Sequence, residues 1–514
     1  MRIPAQVVAV IVLILNASSG VAQQKKPNII VIAADDHAYQ AISAYGSDLI
    51  RTPNIDQIAN EGAVMDRAYV TNSICSASRA VILTGKYSHQ NGLKDNGTYF
   101  NGAQQTFPKI LQQNGYKTAV IGKWHLWSAP TGFDYWNILP AQGHYYNPGF
   151  IKMGRDTVYQ GYVTDVISDI SIDWLNKNKN SPFCLLLFHK APHRNWMPPV
   201  KYLGAFSQTK FRTPHNFNDD YKGRLALLRQ QISVAKDLDI RYDSKIPCDS
   251  CPVTKINDWA PMEYQRETER LNADERKAWD SHYLREFAQF RLLKSHGETA
   301  KFQFQRYMED YLACVKALDD NVGRVLAYLK EQNLDRNTII IYMSDQGFYL
   351  GEHGLYDKRF MYEESFRTPM LIKYPALISE PKRNNSFVLN LDIAPTLLDL
   401  AGIQPPADMQ GASMRTLLEK GKDRNWRKEI YYHYYEKSFG LTPHYGIRTN
   451  RHKLIHFYEL MDSWELYDLK KDPNEVRNIY ADEQYKRTVK KLKKRLQKLM
   501  VFYKDTGFHA NAGR

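Results

Sequence analysis

The sequence predicts an α/β protein with a large domain built on a mostly parallel sheet flanked by helices, followed by a small antiparallel α+β unit. Three observations carry that reading. Four short apolar runs, Ile29 to Ala34, Thr118 to Ile121, Phe183 to Phe188 and Ile339 to Met343, have strand length and the near-continuous apolarity of buried parallel strands. Helical patterns alternate with these runs. After Gly402 the character changes to short strand-like segments separated by turns and closed by one amphipathic helix.

Each apolar run leads directly into residues able to do chemistry. Ile29 to Ala34 ends in Asp35-Asp36, and Thr118 to Ile121 passes through Gly122 into Lys123-Trp124-His125. Phe183 to Phe188 leads to His189 and His193, and Ile339 to Met343 ends in Ser344-Asp345-Gln346. Ligand sites of open α/β sheets lie beyond the C-terminal ends of the strands, so these side chains are expected to converge. A helix is predicted from Cys75 to Leu83, ended by Thr84-Gly85, and another over Tyr307 to Gln332, where Tyr311, Val315, Leu318, Val322, Val325 and Leu329 fall at helical spacing. The segment from about Trp196 to Gly297 lacks strand runs and reads as a helical and loop excursion that shapes the mouth of the site. Asp392 to Gly402 is a helix closed by glycine. Glu429 to Tyr435, Leu454 to Tyr458 and Trp464 to Tyr467 are the expected strands of the C-terminal unit, with a last helix from about Asp482 to Tyr503. The expected organisation is a signal peptide over 1–22, a catalytic domain over 23–425 and a C-terminal subdomain over 426–514, without internal repeats.

The signal peptide rests on Arg2, the apolar run Val7 to Leu15 and the small residues Gly20-Val21-Ala22. An uncleaved anchor is the alternative, but the run is shorter than the roughly 20 residues that span a bilayer. The expected location is periplasmic or secreted, without stable membrane insertion. With 514 residues, 43% of them apolar, the chain can bury a large core, which excludes disorder. Its net charge of +14 suits an acidic partner of any kind. Lys490, Lys491, Lys493, Lys494, Arg495 and Lys498 read as a solvated helix face, and no zinc-finger or helix-turn-helix spacing points to nucleic acid. Five cysteines in an exported chain of this length are too few for a disulfide scaffold. Cys184 and Cys314 read as core, and Cys248 and Cys251 either close a small loop or sit in a polar segment. Cys75 differs, because it lies in the polar stretch Ser73-Ile74-Cys75-Ser76-Ala77-Ser78-Arg79 that opens a helix.

Adjacent acids at a strand end raise each other's pKa unless a cation neutralises them. Asp35-Asp36 and Asp345-Gln346, at two strand ends, offer oxygen donors only, which suits calcium or magnesium better than zinc. The plain alternative for either pair is a solvated turn or helix cap. Cys75 and Arg79, four residues apart, share a helix face at a terminus whose free N–H groups and dipole attract an anion. A simple thiolate nucleophile fits the same surroundings.

Cys75-Ser76-Ala77-Ser78-Arg79 followed by Leu83-Thr84-Gly85 resembles the signature of the formylglycine-dependent sulfatases, in which a maturation enzyme oxidises the cysteine. The resemblance covers nearly the whole mature chain. Pro27-Asn28-Ile29 to Asp35-Asp36, Gly122-Lys123-Trp124-His125, Ala191-Pro192-His193, Ser344-Asp345-Gln346-Gly347, Trp464 to Leu469 and Lys471-Asp472-Pro473-Asn474-Glu475 all fall in the family order. The chain departs at Gln346, where many members carry Asn or His. The resemblance implies an alkaline-phosphatase-like fold and a calcium ion held by Asp35, Asp36, Asp345, Gln346 and a hydroxyl of residue 75. It implies that Arg79, Lys123 and Lys358 balance charge on the sulfate, that His193 protonates the leaving sugar oxygen, and that His125 takes a proton from the remaining hydroxyl of position 75. His37 is expected behind the metal ligands, and His89 and His189 in structural roles.

Gly351 to Ser365 is similar to the corresponding segment of N-acetylglucosamine-6-sulfatase-like members, in which residues beside the lysine meet the sugar. Asp357 and Arg359 are therefore candidate hydroxyl ligands, with a surface ion pair as the alternative, and His444 is a candidate reaching over from the C-terminal unit. The expected substrate is a 6-O-sulfated N-acetylglucosamine or glucosamine. The competing readings are another glycan sulfatase such as an iduronate-2-sulfatase, a phosphate or phosphonate ester hydrolase on the same scaffold, and a noncatalytic glycan-binding protein.

Overall fold

The computed structural model describes residues 26–248, 250–251 and 257–505; the expected signal peptide lies outside them. Asn28–Ala34 (β1), Lys117–Lys123 (β2), Phe183–Phe188 (β3) and Thr338–Ser344 (β4) form the parallel centre of a ten-stranded sheet, in the order β4-β1-β3-β2. Apart from Lys117, which opens β2, every residue of these strands is buried, as their unbroken apolar runs require. Beyond β2 the sheet continues through Tyr135–Leu139, parallel, and two antiparallel strands, Gly149–Lys152 and Arg155–Val158. Beyond β4 it continues through Met370–Lys373, antiparallel, then Ala63–Met65 and Lys382–Asn384. These outer strands are short and carry no strong periodic signal in the sequence.

Register turns this sheet into a site. Ala34 lies opposite Ser344, Ala33 opposite Phe188, and Gly122 opposite Phe188, so all four central strands end at one level. Gly122 adopts φ +104°, and a Cβ there would run into the Phe188 carbonyl of the neighbouring strand. Only glycine lets the chain turn Lys123 into the site at this point. The helix Cys75–Thr84 (α1) is buried along its whole length and ends at Gly85 in the left-handed conformation. The long helix His296–Glu331 (α2) begins with a capping box from Ser295 and Glu298 and packs against the helices Pro53–Asn60 and Val163–Asn178.

The excursion between residues 196 and 297 contains no named strand among the described residues, only helices and loops. Within it Cys248 and Cys251 form a disulfide, which settles the alternative left open by the sequence. Cys184 and Cys314 are buried in the core as expected. The C-terminal unit is a four-stranded antiparallel sheet, Glu429–Tyr434 (β5), His444–Thr449 (β6), His452–Phe457 (β7) and Ser463–Asp468 (β8), in sequential order. Strand β6 was not expected from the sequence. Its His-Tyr-Gly-Ile-Arg-Thr composition does not alternate, because it is buried on both faces. The last helix, Lys486–Phe502 (α3), buries Leu492, Leu496 and Met500. Lys490, Lys491, Lys494 and Lys498 remain exposed, whereas Lys493 lies 3.8 Å over the Trp464 ring and Arg495 pairs with Glu429.

Among the buried histidines, His189, His433 and His444 lie away from the strand-end acids and are held in the neutral form. Burial lowers the pKa of His189 and His444 to about 3 and of His433 to about 4. In the unfolded chain a histidine takes up its proton near pH 6.5, so on acidification the unfolded state binds protons before the folded state does. Folding stability is therefore expected to be fully present above pH 6.5 and to fall by a few kcal/mol as pH drops to about 4. Urea midpoints measured across that window check this. His444→Phe, set among the rings of Phe360, Tyr432, Tyr434 and Phe457, is expected to flatten the profile.

Candidate active site

Where the four central strands end, their side chains meet α1. Cys75 Sγ lies 3.5 Å from Asp35 Oδ1, and Gln346 Nε2 lies 3.5 Å from the same sulfur. One turn along α1, Arg79 donates from Nε (3.0 Å) and Nη2 (2.8 Å) to Asp345 and from Nη1 to the Lys123 carbonyl (2.6 Å), with Asp35 3.8 Å away. The shared helix face expected for Cys75 and Arg79 is thus the face turned to the acids. Lys123 pairs with Asp35, and Lys358 with Asp36 at 2.7 Å. His193 Nδ1 donates to the Arg194 carbonyl and leaves Nε2 3.8 Å from Asp36.

By count, three acids, Asp35, Asp36 and Asp345, face three cations, Arg79, Lys123 and Lys358. The balance is uneven by residue. Burial opposes ionisation of Asp35, yet Lys123, His193, Arg79 and Lys358 together hold its pKa well below the usual range. Burial raises Asp36 to about 6 against the pull of Lys358, and raises Asp345 to about 8 with help from the Asp35 charge and against Arg79. Burial pushes the Cys75 thiol far up, past the relief that Lys358 offers, which disfavours a thiolate nucleophile. The histidines are shifted the other way. Burial and then Lys123 hold both His125 and His193 well below their ordinary value.

The donor set fits a hard cation. Asp35, Asp36 and Asp345 each bring a carboxylate oxygen within 4.8 Å of the others; Gln346 donates from Nε2 to Asp36, and its buried Oε1 accepts no hydrogen bond, so the amide would turn over to offer that oxygen to an ion. Three buried carboxylates this close together, next to an amide oxygen with no partner of its own, are a costly arrangement without a cation. With all three acids ionised around it, a divalent ion would bring the centre to a net charge of about +2, suited to an ester anion that departs as sulfate.

The backbone is strained where these groups are aimed. Asp36, His125, Asp357 and Arg359 adopt φ of 66°, 54°, 75° and 97°, a region that non-glycine residues enter uncommonly. His125 accepts at Nε2 from Gln142 (3.2 Å) and turns Nδ1 toward Ser76 Oγ (3.4 Å), the residue after Cys75. Asp357 and Arg359 pair at 2.8 Å, with Arg359 buried and Asp357 half-buried, and Arg359 also holds Glu436 and Ser438, each at 2.8 Å. His444 is fully buried, stacked on Tyr434, whose hydroxyl accepts from Arg359 at 3.1 Å. It stands one ring behind Arg359 rather than beside it. His37 hydrogen-bonds Tyr342 at 2.6 Å under the acids, and His89 accepts or donates within the Tyr503 and Asp505 cluster of the C-terminal unit. His353 pairs with Asp219 at 2.8 Å.

Sequence reading missed Gln142, Asn96 and Glu436. All three sit on loops; the strands that precede Gln142 and Glu436, Tyr135–Leu139 and β5, mix polar with aromatic residues, so neither is the continuous apolar run that marked the other strand ends. Asn96 accepts from the Ser76 N–H at 3.2 Å and donates its own N–H to Glu436 at 3.2 Å, which ties the nucleophile helix to the Arg359 cluster.

Comparison with known proteins decides the family. A family model described as sulfatase matches residues 27–403, and one described as the C-terminal part of N-sulphoglucosamine sulphohydrolase matches residues 351–501. The chain belongs to the sulfatase family. This sulfatase is 47% identical over 493 residues to an N-acetylglucosamine-6-O-sulfatase of Bacteroides thetaiotaomicron, covering 94% of this chain and 88% of that protein. It is 25% identical over 466 residues to the human N-acetylglucosamine-6-sulfatase, covering 84% of this chain and 72% of that protein. A solved structure of a protein in complex with its substrate D-glucosamine-2-N,6-O-disulfate superimposes with a TM-score of 0.90 at 46% identity, over 95% of this chain and 100% of that one. The protein is thus a sulfuric ester hydrolase of alkaline-phosphatase-like fold. No helix among the described residues is long and apolar enough to cross a membrane.

Proposed function

We propose that this sulfatase is exported and removes the 6-O-sulfate of N-acetylglucosamine or glucosamine in glycosaminoglycan or mucin glycans, through formylglycine at position 75 and a bound calcium ion. The observation that carries the chemistry is the meeting of Cys75 with Asp35, Asp36, Asp345 and Gln346 inside a ring of Arg79, Lys123 and Lys358. The sugar is supported by the 47% identical relative and by the substrate of the structural neighbour. Residues 23–425 form the catalytic domain in this proposal and 426–514 the C-terminal subdomain, after removal of 1–22.

Asp35, Asp36, Asp345 and Gln346 would hold calcium, which supplies Lewis-acid polarisation of a sulfate oxygen. Formylglycine, made from Cys75 by a separate maturation enzyme, supplies as its hydrate one hydroxyl to attack sulfur and a second through which sulfate is expelled. Arg79, Lys123 and Lys358 neutralise charge on the sulfate oxygens from fixed positions, so little reorganisation is needed as the reaction proceeds. His193 presents Nε2 to the leaving sugar oxygen. Its proton affinity, low in the buried free site, rises when an anionic ester enters. His125, oriented by Gln142, takes a proton near position 75. Asp357 and Arg359 hold ring hydroxyls, with Glu436 keeping the guanidinium in place and His444 supporting Tyr434 behind it.

Two measurements test this reading. Sulfate release should favour 6-O-sulfated N-acetylglucosamine and glucosamine over a 2-O-sulfated uronate and over the matched phosphate ester by about 100-fold or more. Failure on every 6-sulfated hexosamine would sink the sugar assignment. His193→Ala is expected to lower kcat by about 10² to 10⁴ on sugar sulfates but far less on an aryl sulfate, whose leaving group needs no proton. Equal losses on both would remove His193 from the acid role.

A further inference from the structure

At the rim of this site two loops run side by side, joined by a hydrogen bond from Phe100 N–H to the Leu126 carbonyl at 3.0 Å. Each sends an aromatic ring into solvent at the join. Tyr99 is 70% exposed and Trp127 45% exposed, with ring centroids 6.5 Å apart. A single exposed aromatic is ordinary, but two neighbours fixed at the edge of a reaction centre leave a contiguous apolar surface that calls for a ligand.

Trp127 is fixed in place. Its backbone sits at φ 61°, its indole N–H donates to the Asn96 carbonyl at 2.6 Å, and its ring lies 5.7 Å from that of His125. With the indole N–H used internally, what the ring offers to solvent is carbon. Asn96 connects this surface to both halves of the site, through Ser76 beside residue 75 and through Glu436 beside Arg359. Neither ring has a part in the sulfur chemistry, which takes place among buried charges.

We propose that Tyr99 and Trp127 form a stacking platform for the sugar adjoining the sulfated residue, so that the preferred substrate is an oligosaccharide rather than a free monosaccharide. The inference rests on the 6-O-sulfated hexosamine reading. A pyranose has a face of C–H groups that buries well on an aromatic ring while its hydroxyls stay in water, the combination of apolar body and wet edge that exposed Tyr and Trp rings accept. The centre that grips the sulfate is built from buried charged side chains. A neighbouring sugar leaving it on the His125 side meets these two rings.

The test compares steady-state sulfate release from 6-O-sulfated N-acetylglucosamine with release from a tetrasaccharide carrying the same residue at its non-reducing end. Trp127→Ala is expected to raise KM for the tetrasaccharide roughly tenfold while monosaccharide kinetics change less than about twofold. Trp127→Phe should restore most of the loss, and Tyr99→Ala should give a smaller selective loss. Equal loss on both substrates, or no loss on either, would overturn the platform while leaving the 6-O reading intact. A wild-type enzyme that desulfates neither compound would overturn both.

Discussion

Cys75→Ala is expected to lower sulfate release by about 10⁴-fold or more while leaving the fold intact. The side chain is small, and its loss from a site ringed by charged partners costs on the order of 1 kcal/mol of packing. The chemistry has no substitute for it. Arg79, Lys123 and Lys358 can still bind a sulfate ester, but no group within reach of sulfur offers a nucleophile. The variant should therefore bind 6-O-sulfated substrate with near-normal affinity and not turn it over, which also separates an enzyme from a glycan-binding protein on the same fold. Peptide mass spectrometry across residue 75 completes the test. Active enzyme should carry an aldehyde there, and an unmodified thiol in fully active protein would overturn the formylglycine mechanism.

Asp345→Ala should produce the largest loss of stability. Arg79 is 1% exposed and donates to Asp345 through both Nε and Nη2, with Asp35 a distant second at 3.8 Å. Removing the carboxylate leaves a buried guanidinium without its main partner, a change that costs about 3–5 kcal/mol. The same substitution removes one of the acids that face the nucleophile. Wild-type protein should melt at a higher temperature when calcium is added, and the variant should lose both that response and its activity. A variant that melts like wild type with an unchanged calcium response would remove Asp345 from the metal site.

The central part of this architecture was legible because parallel strands buried on both faces must be apolar throughout. Ile29 to Ala34 and Phe183 to Phe188 admit hardly any other reading. The polar residues at their ends stand out by contrast, which is how Asp35, Asp36, Lys123, His193 and Asp345 came into view together. The outer strands were not legible, since Ala63–Met65 and Lys382–Asn384 are three residues each and take their conformation from the neighbour they pair with. Strand β6 was missed for a related reason. It is packed on both sides by aromatic and polar side chains, so neither alternation nor an apolar run marks it.

The ion pair of Asp357 and Arg359 shows the limit most plainly. The sequence places them two residues apart, a spacing equally compatible with a surface pair and with sugar ligands. Burial, and the arrival of Glu436, Ser438 and Tyr434 from the C-terminal unit, depend on contacts between segments more than 70 residues apart in the chain. Local pattern carries no record of such contacts.

What the sequence determined by itself is the set of chemical groups: a cysteine at a helix start, an arginine one turn on, and acids, lysines and histidines at strand ends. Residue type and spacing along single elements are enough for that. Only the tertiary structure decided how the centre is balanced, with Arg79 committed to Asp345, Lys123 to Asp35 and Lys358 to Asp36, and which loops complete its rim. Those choices follow from strand register and from burial, because the free energy of a charge depends on what surrounds it once water has been removed.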